Sequence, residues 1–127
     1  MTNQTAGAAR LDGRIAIVTG GTQGLGEAIA IDFAERGTKG IVICGRNADK
    51  GRAVAERLTN SGCKTAFVTA DLGAVEDCRK VVAAADRAFG RVDILVNAAA
   101  ITDRGTIFDT SPELFDTMFN YRSQMAL

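Results

Sequence analysis

The sequence that decides the fold is Arg14-Ile-Ala-Ile-Val-Thr19 followed directly by Gly20-Gly-Thr-Gln-Gly-Leu-Gly26. The first segment is a short apolar run without alternation, which is typical of a strand buried on both faces, as strands of parallel sheets are. The second segment is rich in glycine. After it, apolar side chains recur every four residues, which predicts a helix running to Arg36. A strand, a glycine loop and a helix in this order begin a βαβ unit.

The alternation of strands and helices continues along the chain. Apolar runs predict strands at residues 40–44, 64–69 and 91–97, and Ser111 and Pro112 predict a further helix start. Between the strands, helices are predicted with Asn47 as the N-cap of the second and with Gly37, Gly62 and Gly90 after their ends. The apolar stripes are Leu25, Ile29 and Phe33, then Val54 and Leu58, then Val75, Cys78, Val82, Ala85 and Phe89. This order predicts an α/β fold, a Rossmann-type doubly wound parallel sheet of which about four strands are present.

Composition and charge narrow the classes of function. The chain has 127 residues, with 15 basic and 15 acidic side chains, and this balance disfavours nucleic acid and membranes as partners. There is no histidine, and the three cysteines have no C-x-x-C spacing, so no metal site is expected. The first residues lack the apolar segment of a signal peptide, and no run reaches the ~18 apolar residues of a membrane span. A cytoplasmic location is therefore expected.

The glycine loop has the composition of a phosphate-binding turn. Small residues allow a tight turn, a close approach of the backbone to a pyrophosphate and close helix–strand packing. The free N–H groups and the dipole at the start of the following helix favour a bound anion. The position between a strand and a helix is the context that this motif requires, and it disfavours a flexible turn without a ligand. We therefore predict a dinucleotide-binding domain over residues 10–127, preceded by a disordered tail, residues 1–9.

The spacing Thr-Gly-x-x-x-Gly-x-Gly, from Thr19 to Gly26, resembles that of the short-chain dehydrogenase/reductase family. Asp71-Leu72 follows the third strand, where the family places an Asp near the adenine amino group. Asn97-Ala-Ala-Ala100 resembles the family motif Asn-Asn-Ala-Gly, with the first and third residues matched and the second and fourth replaced by alanine. The resemblance covers residues 11–127. It implies an NAD(P)(H)-dependent oxidoreductase that acts on an alcohol or carbonyl substrate, with this chain as its cofactor-binding half.

Gly45 and Arg46, at the end of the second strand, bear on the choice of cofactor. A carboxylate in this place accepts hydrogen bonds from the 2′-OH of NAD and repels the 2′-phosphate of NADP. Here there is no carboxylate, and a guanidinium suits phosphate oxygens, so NADP(H) is favoured over NAD(H). A solvated arginine opening a polar loop is the alternative interpretation. The predicted cofactor-binding residues are Thr19, Gly20, Thr22, Gln23, Gly24, Leu25, Gly26, Gly45, Arg46, Asp71, Leu72, Asn97, Ala98 and Ala99.

Most of the catalytic residues that the resemblance implies are missing. The family uses a Tyr with a Lys four residues later and a Ser that polarises the carbonyl, whereas Tyr121 is followed by Arg122-Ser-Gln-Met125. Asn120 resembles the family's fourth-helix Asn, which holds a water in the proton relay, although Phe115-Asp116 lies closer to it than in the family pattern. Asn120 is the one predicted catalytic residue. The fourth strand would be an exposed apolar edge, so we expect the domain to be incomplete at its C-terminus and part of a longer polypeptide.

Two other functions stay open at this point. A binding module would hold a dinucleotide without redox chemistry, and a Rossmann-type methyltransferase would also carry a glycine loop after its first strand. The loop spacing and the run Asp93-Ile-Leu-Val-Asn97 disfavour the methyltransferase. An extension beyond Leu127 that carries Tyr-x-x-x-Lys would separate the enzyme from the binding module. The sequence does not predict the substrate, the direction of reaction or whether the protein forms a homo-oligomer.

Overall fold

The computed structural model describes residues 9–99, 111–114 and 116 of the chain. Within these residues, four strands alternate with three long helices. Their bounds are β1 Ile15–Thr19, α1 Gly24–Glu35, β2 Gly40–Gly45, α2 Ala48–Asn60, β3 Lys64–Thr69, α3 Val75–Phe89 and β4 Ile94–Asn97. Residues 112–114 are helical, and the Ser111 hydroxyl accepts a hydrogen bond from the N–H of Leu114 at 3.1 Å, which confirms the predicted helix start. Apart from Ala9, the predicted disordered tail lies outside the described residues.

The strands form one parallel sheet in the order β3-β2-β1-β4. β1 pairs with β2 in a register that joins Thr19 to Cys44, and with β4 in a register that joins Thr19 to Asn97. The chain therefore adds strands on one side of β1 as far as β3 and then crosses to the other side for β4. Such a reversal of strand order leaves a crevice at the carboxyl ends of the strands in open α/β sheets.

Helices cover both faces of the sheet. On one face, the buried core packs against α1 and α2 and includes Val18, Ile41, Ile43, Ala30, Val54 and Leu58. On the other face, the core packs against α3 and includes Ile17, Val42, Cys44, Cys78, Val81 and Ala85. Ile17 and Val18 belong to different cores because successive side chains of a strand point to opposite faces. The predicted doubly wound parallel sheet is confirmed.

Local signals set the ends of the helices. The Asn47 side chain accepts a hydrogen bond from the N–H of Lys50 at 3.0 Å, so it is the N-cap of α2 as predicted. The glycines predicted after the helix ends, Gly37, Gly62 and Gly90, have φ values of 87°, 96° and 78°. These values lie in the left-handed region that commonly terminates a helix. In the described part of the chain, no helix has the length and apolar character needed to cross a membrane.

Two predictions of which helix face is buried are wrong in detail. Leu25 is 72% exposed, and α1 instead buries Gly26, which has no side chain, and Ala30, which has only a methyl group, so the helix can lie close to the sheet. In α3 the buried valine is Val81, while Val75 and Val82, which were predicted on the apolar stripe, are each about half exposed. Adjacent valines satisfy the three- and four-residue spacings equally well, so the period alone does not decide which one faces the core. β4 is also shorter than predicted, since it begins only at Ile94.

Candidate functional site

A cavity of about 250 Å³ lies at the carboxyl ends of the strands, beside the reversal between β1 and β4. Each strand contributes to it: Gly20 follows β1, Gly45 ends β2, Ala70 follows β3 and Ala98 follows β4. Its lining consists of Gly20, Thr22, Gln23, Gly24, Leu25, Gly26, Cys44, Gly45, Arg46, Ala70, Leu72, Ala98 and Ala99. This is the place where open α/β sheets bind their ligands.

Two glycines of the loop are required by close backbone contacts. Gly20 has a φ of 66°, and a Cβ built on it would lie 2.8 Å from the Cα of Ala99, closer than real Cβ atoms approach their neighbours. A Cβ on Gly26 would overlap the carbonyl oxygen of Gly20. The absence of side chains at these two positions lets β1, the start of α1 and the segment after β4 pack together. The loop therefore forms a narrow backbone cradle at the base of the cavity.

The start of α1 presents backbone donors to this cradle. The N–H of Glu27 donates to the carbonyl of Gln23 at 3.3 Å, so the N–H groups before it in the first turn lack i→i−4 partners within the helix. The Gln23 side chain makes no capping hydrogen bond to them. Gly24 opens the helix, and a Cβ built on it would meet nothing within 4 Å. Donors without partners inside the helix, the helix dipole and open space are the features that favour a bound anion at the start of a helix.

The Thr19 hydroxyl holds the opposite wall of the cavity in place. It donates a hydrogen bond to the carbonyl of Val96 at 3.2 Å and accepts hydrogen bonds from the N–H groups of Ala98 and Ala99, each at 3.1 Å. The Thr19 side chain is fully buried. Because one hydroxyl supplies one donor and two acceptor sites, all three are in use. Thr19 thus positions Ala98 and Ala99 without lining the cavity itself.

A basic residue lies where β2 ends. Arg46 is the one charged residue among the described residues that line the cavity. Nearby, the ammonium group of Lys50 donates a hydrogen bond of 2.5 Å to the side-chain oxygen of Gln23, which connects the start of α2 to the glycine loop. The carboxylate of Glu27 is held in an ion pair with Arg57 at 2.6 Å. The guanidinium of Arg46 thus lies at the cavity edge, close to the loop that Lys50 contacts.

A family model described as short chain dehydrogenase matches residues 14–124. This chain belongs to that family. The match includes every strand and long helix of the described structure and all the residues that line the cavity. The resemblance carried by the glycine loop is therefore confirmed. Short-chain dehydrogenases are oxidoreductases that bind NAD(P).

Relatives of this short-chain dehydrogenase chain are about twice its length. It is 36% identical over 115 residues to versicolorin reductase 1 of Aspergillus parasiticus, covering 91% of this chain and 44% of that protein. It is 31% identical over 116 residues to tetrahydroxynaphthalene reductase of Pyricularia oryzae, covering 91% of this chain and 41% of that protein. The crystal structure of L-sorbose reductase from Gluconobacter frateurii, complexed with NADPH and L-sorbose, matches with a TM-score of 0.83 and 30% identity over 92% of this chain and 46% of that one. The chain thus spans less than half the length of these relatives.

Most of the cofactor-binding residues predicted from sequence lie around this cavity. Those that line it are Gly20, Thr22, Gln23, Gly24, Leu25, Gly26, Gly45, Arg46, Leu72, Ala98 and Ala99. Thr19, Asp71 and Asn97 do not line it. Asp71 is exposed, and one of its carboxylate oxygens accepts a hydrogen bond from the N–H of Gly73 at 3.0 Å within the turn after β3. Asn120, the predicted catalytic residue, lies outside the described residues.

Cys44 and Ala70 line the cavity but were not predicted from sequence. Each is a chain neighbour of a predicted residue at a strand end, so its place at the carboxyl edge of the sheet was the available signal. Burial raises the pKa of the Cys44 thiol to about 12. The thiol is therefore neutral at physiological pH, and it serves as a small apolar wall rather than as a nucleophile.

Proposed function

We propose that this chain is the cofactor-binding half of an NADP(H)-dependent oxidoreductase that interconverts an alcohol and a carbonyl compound. Within it, residues 10–127 form the dinucleotide-binding domain, which is completed by further strands. The free cysteines of the described chain fit the predicted cytoplasmic location, where disulfides are rare. When bound, the cofactor supplies the hydride, and the protein binds and orients it.

The observation that carries the proposal is the pair Gly45-Arg46 at the cavity edge of β2. A dinucleotide enzyme that prefers NAD carries a carboxylate in this place for the ribose 2′-OH. Among the described residues that line this cavity there is no carboxylate, and Arg46 is present instead. A guanidinium pairs with phosphate oxygens through two parallel hydrogen bonds. This combination favours a ribose that carries a 2′-phosphate.

The cradle also fits the rest of a dinucleotide. A pyrophosphate needs free backbone donors and an absence of side chains, which the first turn of α1 and Gly24 provide. Ala98 and Ala99 form the small wall beside which the nicotinamide ribose is expected to lie. L-sorbose reductase, a similar protein of solved structure, is complexed with NADPH. We propose that Asp71 and Asn97 bind the cofactor at its two ends and that Asn120 serves the proton relay.

Titration calorimetry with NADPH and NADH tests this function. We expect the protein to bind NADPH more tightly than NADH, on the order of tenfold or more. Each tenfold in Kd corresponds to about 1.4 kcal/mol of binding free energy. Arg46→Met should weaken NADPH binding and leave NADH binding nearly unchanged, because only the 2′-phosphate needs the cation. Arg52→Met, which replaces an exposed arginine of α2, is the matched control. Equal affinities for the two cofactors in the unaltered protein would contradict the proposal.

A non-catalytic dinucleotide-binding module is the second candidate, and it stays open because residues 1–127 contain no Tyr-x-x-x-Lys pair. The 127-residue chain contains a single tyrosine, and no lysine follows it four residues later. Without a proton donor and a carbonyl polariser, we expect the chain alone to reduce carbonyl compounds ~10²–10⁴-fold or more slowly than an enzyme that has these groups. The loss of NADPH absorbance with a panel of ketones and aldehydes measures this rate. A native transcript that extends past Leu127 with Tyr-x-x-x-Lys would favour the enzyme, and one that ends there would favour the module.

A further inference from the structure

Gly45 and Thr22 face each other across the edge of the cavity. A Cβ built on Gly45 would lie 2.8 Å from Cγ2 and 2.9 Å from Oγ1 of Thr22, and real Cβ atoms essentially never approach so closely. Gly45 stands where a carboxylate would select NAD. We propose that Thr22 is a specificity-determining residue, whose branched side chain excludes any side chain from position 45 and thereby keeps a carboxylate away from the adenosine ribose. This inference rests on the proposed function.

A rotation of the Thr22 side chain does not remove this conflict. Three staggered positions surround its Cβ, and two of them are occupied by heavy atoms, both of which now face Gly45. After any rotation between staggered positions, at least one of the two facing positions is still filled. Thr22 is also only 8% exposed, so its surroundings restrict its movement. The obstruction therefore follows from β-branching itself.

The backbone on either side is held as well. The carbonyl of Gly45 accepts a hydrogen bond from the N–H of Ala70 at 3.0 Å, and Gly45 pairs with Thr69 in the sheet. On the loop side, the N–H of Gly20 donates to the carbonyl of Cys44 at 3.0 Å. A side chain at position 45 would have to displace either the edge of the sheet or the phosphate loop. Both of these form the cavity, so the displacement would disturb cofactor binding as a whole.

A change of preference toward NAD consequently requires two substitutions. Gly45→Asp alone introduces the carboxylate but moves the phosphate loop, so it should weaken both cofactors. Gly45→Asp combined with Thr22→Ala removes both heavy atoms that obstruct the new side chain. The carboxylate can then accept hydrogen bonds from a ribose 2′-OH and repel a 2′-phosphate. Arg46 stays in place in every variant, so the change is attributable to positions 22 and 45.

The experiment compares Gly45→Asp, Thr22→Ala, Gly45→Asp/Thr22→Ala and Gly45→Asp/Thr22→Val. Valine has the branched shape of threonine, so it keeps the obstruction and serves as the matched control. Without cofactor, Gly45→Asp should lower the unfolding temperature by about 5 °C or more, as overpacking does, and Thr22→Ala should reverse most of that loss while Thr22→Val should not. In titrations with NADH and NADPH, only the Asp/Ala variant should move the affinity ratio toward NADH, on the order of tenfold or more.

The two measurements separate this inference from the proposed function. A double-mutant cycle of unfolding in the absence of cofactor tests the contact between positions 22 and 45 whatever the protein binds. The inference would be overturned if the stability changes of Gly45→Asp and Thr22→Ala simply add in the double variant. It would also be overturned if Thr22→Val restored the stability of Gly45→Asp as well as Thr22→Ala does. A shift of preference to NADH by Gly45→Asp alone, without loss of stability, would overturn it as well. Failure of the unaltered protein to bind either dinucleotide would instead overturn the proposed function while the cycle still decides the contact.

Discussion

The hydroxyl of Thr19 accepts a hydrogen bond from the backbone N–H of Ala98 at 3.1 Å. It thereby connects the end of β1 to the segment that follows β4, two stretches 79 residues apart in sequence. The same hydroxyl also serves Ala99 and Val96, so three backbone groups depend on one side chain. The reversal of strand order places β4 beside β1, and the Thr19 hydroxyl joins the ends of these two strands.

Replacement of Thr19 by valine should weaken the contact between the end of β1 and the segment after β4. Thr19→Val keeps the shape but leaves the part-buried N–H groups of Ala98 and Ala99 without this acceptor. Loss of the acceptor costs about 1–3 kcal/mol for a fully buried group. We expect a loss of about 2 kcal/mol in the free energy of unfolding, measured with urea, together with weaker dinucleotide binding. Thr19→Ser keeps the hydroxyl and is the control. Equal stability of the valine and serine variants would show that the hydroxyl is not needed.

Asp93 should make stability depend on pH in the acid range. Its carboxylate accepts a hydrogen bond from the N–H of Ile15 at 2.8 Å and one from Arg91 at 3.0 Å. The backbone hydrogen bond from Ile15, followed by the Arg91 side chain, lowers the pKa of Asp93 below its ordinary value. The folded protein therefore binds this proton less readily than the unfolded chain does. Its contribution is complete above about pH 4, the ordinary Asp value, and is lost as pH falls through the lowered pKa.

Urea unfolding between pH 7 and pH 3 measures this contribution. Asp93→Asn should be less stable than the unaltered protein at neutral pH, and the difference should shrink toward pH 3. Asp86→Asn, in which an exposed carboxylate of α3 is changed, is the control. A difference between the Asp93 variant and the unaltered protein that stays constant over this range would contradict the assignment.

Gly24 and Gly90 form a matched pair for testing the phosphate cradle. Both have a positive φ, 58° and 78°, and at both a Cβ would meet nothing within 4 Å of the protein. Only Gly24 lines the cavity. Alanine at either position should cost about 1 kcal/mol of stability through backbone strain. Gly24→Ala should also weaken NADPH about tenfold or more, because its methyl group enters the space of the pyrophosphate. Calorimetric affinities that fall equally for both variants would count against the cradle.

The buried thiol of Cys44 should make stability depend on pH in the alkaline range. With its pKa raised to about 12, the folded protein keeps a proton that the unfolded chain releases near the ordinary thiol value. Stability should therefore fall as pH rises from about 8.5, the ordinary Cys value, toward the raised pKa. Cys44→Ala should show a shallower decline between pH 8 and pH 11 in urea titrations. In the native protein at pH 8, Cys44 should resist iodoacetamide; rapid alkylation would contradict its burial.

The strands and helix ends could be predicted from sequence because their signals are local. Continuous apolar runs identify buried parallel strands, and Asn47 and Gly62 mark the ends of α2 by the backbone geometry that they favour. The face that each helix buries was harder to predict. The choice between Val81 and Val82, and the exposure of Leu25, depend on how each helix is placed against the sheet. That placement follows from contacts between distant segments, which periodicity does not contain.

By itself, the sequence determined the family, the order of strands and helices, and the position of the glycine loop, because each depends on residues that are neighbours in the chain. Only the tertiary structure decided which residues meet at the carboxyl ends of the strands. Thr22 faces Gly45, and Thr19 holds Ala98, because parallel pairing in the order β3-β2-β1-β4 brings these chain segments to one edge. The need for glycine at position 45 thus depends on the side chain of Thr22, which lies in the glycine loop. Such a contact is a property of strand order and register, which no local pattern specifies.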